Sequence, residues 1–254
     1  MPILELKQIR KRLGGQSVLK GVDLSLEEGE VVVILGPSGS GKTTLLRTIN
    51  FLNPADSGTV TIDGLSVDAA QHHQRRLVQQ LRQKTAMVFQ NYCLFKNKTV
   101  LQNITDGLTI VHKVKKAAAE QQALALLSKV NLAEKAGAYP AELSGGQQQR
   151  VGICRALALH PKVILFDEPT SALDPELVGE VLKTMKAVAQ TGITMLVVTH
   201  EIAFAREAAD RVIYMEGGQI VEQGTPQEVI DHPRQEQTLR FLRTILEDKI
   251  DYMI

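Results

Sequence analysis

The chain has 254 residues, 44% hydrophobic and 22% charged, which is the balance of a globular protein long enough to bury a sizeable core. Its 29 Lys and Arg against 28 Asp and Glu leave a net charge of +1, so it lacks the basic footprint of a nucleic-acid or anionic-lipid binder. No apolar run reaches the ~18 residues of a membrane span, and MPILELKQIR lacks a signal-peptide pattern, so a cytosolic chain is expected, and any membrane role would have to come through a partner.

In chain order, the first thirty residues read as strand pairs. VDLSL (22–26) alternates apolar and polar, EEGE (27–30) is a turn, and VVVIL (31–35) is a β-branched run expected to be buried on both faces. After a glycine-rich loop, TTLLRTIN (43–50) reads as a helix that stops before LNPADSG. TVTI-DG-LSV (59–67) is a hairpin with Asp63-Gly64 at its turn. Residues 69–84 are polar and expected to be helical. His72 and His73 there are adjacent, with no third ligand in register, and read as a solvated face rather than a metal site. TAMVF (85–89) is the next strand. Residues 98–135 become mostly helical, with apolar positions three and four apart in KVKKAAAEQQALALLSKV. KVILF (162–166) and ITMLVV (193–198) are further buried strands around the helical ELVGEVLKTMKAVAQ, RVIYM-EGG-QIVEQG (211–224) is a last hairpin, and 226–250 is polar and helical. Cys93 and Cys154 sit far apart in no ligand spacing and are expected to be small packed hydrophobes in a reducing compartment.

The sharpest motif is GPSGSGKT (36–43), directly after a buried strand and before a helix. Its glycines let backbone amides converge on phosphate oxygens, and the helix start adds a positive dipole end. Gly36, Pro37, Ser38, Gly39, Ser40 and Gly41 form the cradle. Lys42 would reach the β- and γ-phosphates, the Thr43 hydroxyl would hold Mg²⁺, and Thr44 is within reach of the α-phosphate. KVILF ends in Asp167-Glu168. At a strand's carboxyl end, Asp167 would bind Mg²⁺ through water and Glu168 would act as general base on an attacking water. His200 in VVTHE and Gln90 in VFQN have the same strand-end address. His200 would point at the γ-phosphate region, and Gln90 at Mg²⁺ or the water.

LSGGQQQR (143–150) offers no base or nucleophile. Ser144 and Gln147 have capping-box spacing, so a helix should start there with bare amides, which make an anion site. A P-loop kinase would explain 36–43 and Asp167 but leaves this segment idle.

In this order, GPSGSGKT, Gln90, LSGGQQQR, VILFDEP, SALDPE (171–176) and His200 resemble the ATP-binding-cassette (ABC) ATPases over essentially the whole chain. The resemblance implies an α/β fold: a P-loop nucleotidase core with a mostly parallel sheet, an N-terminal antiparallel β subdomain and an inserted helical subdomain. It implies one domain over 1–254, with the core and β subdomain at about 1–90 and 155–254 and the helical part at about 91–154. The implied activity is hydrolysis of ATP with Mg²⁺ in a nucleotide-sandwich homodimer. Ser144, Gly145 and Gly146 of one subunit cover the γ-phosphate held by the other, and Asp174 links the two sites. Transmembrane permease subunits are the implied partners, seated near residues 90–100 at the cytoplasmic face of the membrane, with an extracytoplasmic solute-binding protein acting indirectly and no nucleic acid bound. VLKGVDLSLEEGEVVVILGPSGSGKTTLLRTIN, MVFQNYCLFKNKTVLQNI and RQEQTLRFLRTIL look like importers of polar amino acids, nearest to the cystine type. A soluble ABC ATPase of DNA or ribosome maintenance and an exporter cassette remain as alternatives. The family usually has an adenine-stacking aromatic residue before the first hairpin glycine, whereas this chain has Leu13.

Overall fold

The computed structural model describes residues 1–71 and 75–251, with side chains described through residue 245. Strands β1 (Leu4–Leu13) and β2 (Gln16–Leu26) pair antiparallel around Gly14-Gly15, both at positive φ. Strand β3 (Val31–Leu35) is buried at all five positions, as its unbroken β-branched run requires. Helix α1 (Lys42–Ile49) follows the glycine-rich loop, and β4 (Ser57–Ile62) and β5 (Leu65–Asp68) form the expected hairpin. Asp63 (φ 49) and Gly64 (φ 74) turn it, the double left-handed geometry that suits the twist of a two-residue hairpin. These four outer strands make one antiparallel sheet, in the order β2-β1-β4-β5.

Helix α2 is described over Arg75–Gln83; of the expected 69–84, Ala69 and Ala70 form a turn after β5, where the Ala70 amide donates to the Asp68 carboxylate, and Gln71 is not helical. His72 and His73 lie outside the described residues. Strand β6 (Thr85–Val88) precedes the helical stretch: α3 (Val100–Asp106), a π-helical turn (Gly107–Val111), α4 (Lys116–Lys129) and α5 (Gly145–Ala158). Strand β7 (Val163–Asp167), α6 (Pro175–Ala189), β8 (Thr194–Val198), α7 (Ile202–Ala208), β9 (Arg211–Glu216) and β10 (Gln219–Gly224) complete the sheet region. The second sheet has the order β10-β9-β3-β8-β7-β6, parallel except at the β9–β10 edge.

The C-terminal segment departs from one continuous helix. A π-helical turn at Gln227–Asp231 ends at His232, and α8 (Glu236–Asp251) starts afresh. Pro233 explains the break, since its ring drives the preceding residue out of the helical region, and His232 sits at φ −133, ψ 54.

Three apolar clusters hold these layers together. One joins the antiparallel sheet and α1 to one face of the large sheet. The second covers the other face with α5, α6, α7 and α8. The third belongs to the helical stretch and includes Val100, Ile104, Leu127, Val151 and Cys154. Helix α5 serves two of them, giving Ile153 and Ala156 to the sheet and Val151, Cys154 and Ala158 to the helical cluster.

Of the two cysteines, Cys154 packs as a small hydrophobe as expected and Cys93 does not. Cys154 is fully buried, and that burial pushes its thiol up to about 12. Cys93 is exposed, because its left-handed backbone (φ 51) sits in a loop that turns outward after β6. A thiol reagent is therefore expected to label one cysteine per native chain, at residue 93, and two after denaturation. Mass mapping of the adducts checks this, and rapid native labelling at Cys154 would contradict the burial.

Candidate functional site

Because β3, β6, β7 and β8 run parallel, their carboxyl ends reach one edge of the sheet, where ligands of open α/β folds gather. The P-loop, Gln90, Asp167-Glu168 and His200 leave from that edge. Gly36 (φ 145) opens the loop, and any Cβ there would collide with the Met215 carbonyl. Gly41 (φ 100) caps α1, and its Cβ would stand 3.0 Å from the Val18 carbonyl. Both close approaches explain why this loop is built from glycine.

A cavity of about 490 Å³ lies over the loop, lined by Val18, Ser38, Gly39, Gly41, Lys42, Thr43, Thr44, Gln90 and Glu168. Lys42, 4% exposed, curls back over the loop and donates to the carbonyls of Gly36 (2.7 Å) and Pro37 (2.8 Å). Burial lowers its pKa, partly offset by the nearby Glu168 and Asp167 charges. The Ser40 hydroxyl is buried in the loop with no hydrogen-bond partner, a group that a phosphate-bearing ligand or a water would satisfy.

Asp167, the last residue of β7, is buried. Its Oδ1 accepts the Thr43 hydroxyl at 2.6 Å, and its Oδ2 faces the Arg47 guanidinium at 3.3 Å. Glu168 is the first residue past the strand and has φ 45, a costly conformation for a side-chain-bearing residue. Its amide donates to the Val198 carbonyl at 2.9 Å, which anchors that turn on β8. Its Oε1 lies 3.3 Å from His200 Nε2. This hydrogen bond is the main reason the Glu168 carboxyl is held below the ordinary glutamate value, against the opposing effect of burial. A carboxylate so kept ionised can accept a proton from water.

The donor set suits a hard divalent cation: a hydroxyl and a carboxylate already in contact, with the Gln90 amide on the same cavity. Among the described residues no cluster of three or more His, Cys, Asp or Glu exists, so phosphate oxygens and water would have to complete such an ion's shell.

The structure thus brings the P-loop, Gln90, Asp167, Glu168 and His200 together. It leaves Ser144, Gly145, Gly146 and Asp174 away from the lining of that cavity. Ser144 caps α5 as expected: its hydroxyl accepts from the Gln147 amide (3.3 Å), and the Gln147 side chain accepts from the Ser144 amide (3.0 Å). Asp174, at the start of α6, is exposed, and its side chain makes no cap bond. Pro37 and His200 border a second cavity of about 370 Å³ against α8. Leu13 ends β1, 42% exposed and off the cavity lining. Val18, on the neighbouring strand β2, reaches the lining and was not legible in the sequence. It heads the VLKGVDLSL stretch, which carries no site signal at that position, and β2 brings it beside the P-loop, its carbonyl 3.0 Å from where a Gly41 Cβ would stand.

Fold and site together define a P-loop nucleotide-binding protein whose mostly parallel sheet carries an added antiparallel sheet and a helical arm. A family profile described as "ABC transporter" matches residues 19–171. Two similar proteins are the L-cystine import ATP-binding protein TcyN of Bacillus subtilis (strain 168), 53% identical over 96% of this chain and 93% of its own, and the L-cystine transport system ATP-binding protein TcyN of Escherichia coli (strain K12), 53% identical over 97% and 99%. Among solved structures, the ATP-binding cassette MJ0796, a dimer in a post-hydrolysis state bound to ADP and Pi, superposes with a TM-score of 0.75. It is 35% identical, covering 88% of this chain and 98% of that one.

The chain belongs to the ABC transporter family. It is an ATPase subunit coupled to transport through membrane components, and nothing in these relatives supports a role in DNA or ribosome maintenance or in export. No helix among the described residues is long and apolar enough to cross a membrane.

Proposed function

We propose that the chain hydrolyses ATP to drive uptake of a polar amino acid, cystine first among them, through separate permease subunits at the cytoplasmic face of the membrane. An extracytoplasmic solute-binding protein delivers the solute without touching this chain. The observation that carries the catalytic part is the convergence on one cavity of the Lys42 ammonium, the Thr43–Asp167 pair and the Glu168–His200 pair. The solute rests on the high identity to the two cystine cassettes.

ATP lies along Gly36, Gly39, Gly41 and the start of α1, where loop amides and the helix end offset phosphate charge. Lys42 exchanges its two loop carbonyls for β- and γ-phosphate oxygens. Thr43 and Gln90, with Asp167 through water, would hold Mg²⁺, which would supply Lewis-acid neutralisation of the phosphates. Glu168 takes the proton of the water that attacks the γ-phosphorus, the bond to the β-phosphate bridging oxygen breaks, and His200 contacts the γ-phosphate. In a second copy facing the first, Ser144, Gly145 and Gly146 present the bare amides of α5 to that phosphate, and Asp174 joins the two sites. The 90–100 segment receives the permease.

Reconstitution with permease subunits and the solute-binding protein in proteoliposomes tests this reading. ATP-dependent accumulation of labelled cystine or another polar amino acid is the expected result. Hydrolysis without accumulation of any of them would overturn it.

Leu13 covers the adenine face by dispersion alone. Tyr at this position adds a stacking contribution of about 1 kcal/mol, so Leu13→Tyr should tighten ATP binding by about three- to tenfold and widen the margin over GTP. Calorimetric titration with both nucleotides checks this, and unchanged affinity would remove Leu13 from the base site.

A further inference from the structure

Two hydrogen bonds and one close approach meet at Tyr92, a residue with no part in the cavity lining, and a third hydrogen bond holds its neighbour Cys93. Tyr92 (φ 56) and Cys93 (φ 51) are consecutive left-handed residues, a backbone that persists only where its surroundings hold it. Arg155 of α5 does so with both arms of its guanidinium: Nη1 donates to the Cys93 carbonyl at 2.7 Å and Nη2 to the Tyr92 carbonyl at 3.2 Å. The Tyr92 hydroxyl in turn donates to the Ala172 carbonyl at 3.0 Å, in the loop that leads to Asp174. Burial, then the Asp174 charge, raises the phenol's pKa, so the hydroxyl remains a donor.

The start of α5 closes on the same ring. A Cβ at Gly145 would fall 2.6 Å from the Tyr92 hydroxyl oxygen and 3.0 Å from the Leu173 side chain, so this glycine lets the helix start lie against both. Tyr92, in the segment after Gln90, therefore contacts the first residue of α5 and the loop before Asp174.

We propose that Tyr92 is a positioning residue that keeps these three segments in register. A permease displacing residues 90–95 then moves, through Tyr92, both surfaces that a second copy must meet: the Ser144–Gly145 helix start and the 171–174 loop. The coupling is short, since each link is a direct contact, and it is physical because the left-handed pair has a restraint at both ends. It rests on the transport reading for the source of the push but not for the register itself.

Tyr92→Phe removes the hydroxyl and keeps the ring against Gly145. In the free subunit, amide exchange at Ser171 and Leu173 should quicken at least threefold while ATP affinity stays within twofold. In the complex with permease subunits, the kcat for ATP should fall about three- to tenfold with KM within twofold, and basal hydrolysis of the free subunit should stay within twofold. Arg155→Lys, which loses the fork but keeps the charge, should give the same pattern. Unchanged exchange at Ser171 and Leu173 overturns the proposal, as does an equal fall in basal and permease-coupled rates. If exchange changes as expected while the wild-type complex moves no amino acid, the transport reading fails and the register stands.

Discussion

Replacement of Glu168 by Gln is expected to lower ATP turnover by about 10²–10⁴-fold, measured as phosphate release with the permease present, while ATP binding is retained. The change is isosteric, so the turn at φ 45 and the amide bond to Val198 should persist. What goes is the acceptor for a proton: an amide oxygen cannot take one from water near neutral pH. The His200 contact at 3.3 Å remains geometrically possible, so the loss is chemical rather than structural. Because the nucleotide is then bound but not consumed, the ATP-held dimer should accumulate and be visible by size-exclusion chromatography. Turnover within a few-fold of wild type would remove Glu168 as the base. A comparable loss of ATP affinity would instead show that it acts in binding.

Lys42→Ala should weaken ATP binding by about 10²–10³-fold, as charge-assisted hydrogen bonds contribute roughly 1.5–3 kcal/mol each and more than one phosphate oxygen is served. The site context enlarges the effect. Asp167 and Glu168 both lie close enough to raise the Lys42 pKa, so without the ammonium two carboxylates face the triphosphate. The same substitution removes the bonds to Gly36 and Pro37, so some loss of loop order accompanies it. Lys42→Arg separates the two effects by keeping the charge with a different reach. Equilibrium binding of a fluorescent nucleotide reads the series, and an unchanged Kd for the alanine variant would refute the phosphate contact.

Much of the site was legible because its chemistry is local. GPSGSGKT needs a strand before it and a helix after it, and both are short-range patterns. Asp167, Glu168, His200 and Gln90 could be located from strand ends alone, since parallel strands deliver their ends to one edge. Even there the boundary moved by one residue: the strand runs Val163–Asp167, so Asp167 is held in the sheet and only Glu168 turns out of it. What stayed hidden depends on distant pairings. Val18 faces the nucleotide cavity only because β2 passes behind the P-loop, and the Gly145–Tyr92 contact joins residues far apart in the chain. The exposure of Cys93 follows from a left-handed backbone that its neighbours in sequence do not announce. The break before α8 is different, because Pro233 was a local signal that outweighed the polar helical pattern around it.

Helix α5 has two sets of apolar neighbours, and this bears on how the molecule melts. A helical arm with its own apolar cluster has the makings of a separate foldon, one that heat could release while the sheet persists. Ile153 and Ala156 prevent that separation, because they pack on the large sheet from the same helix that supplies Val151, Cys154 and Ala158 to the arm. Unwinding α5 opens both clusters at once, and shedding the arm while keeping α5 exposes its apolar face. Loss of the arm is therefore expected to accompany loss of the α5–sheet packing, so that calorimetry should show these two clusters melting in one cooperative transition rather than two.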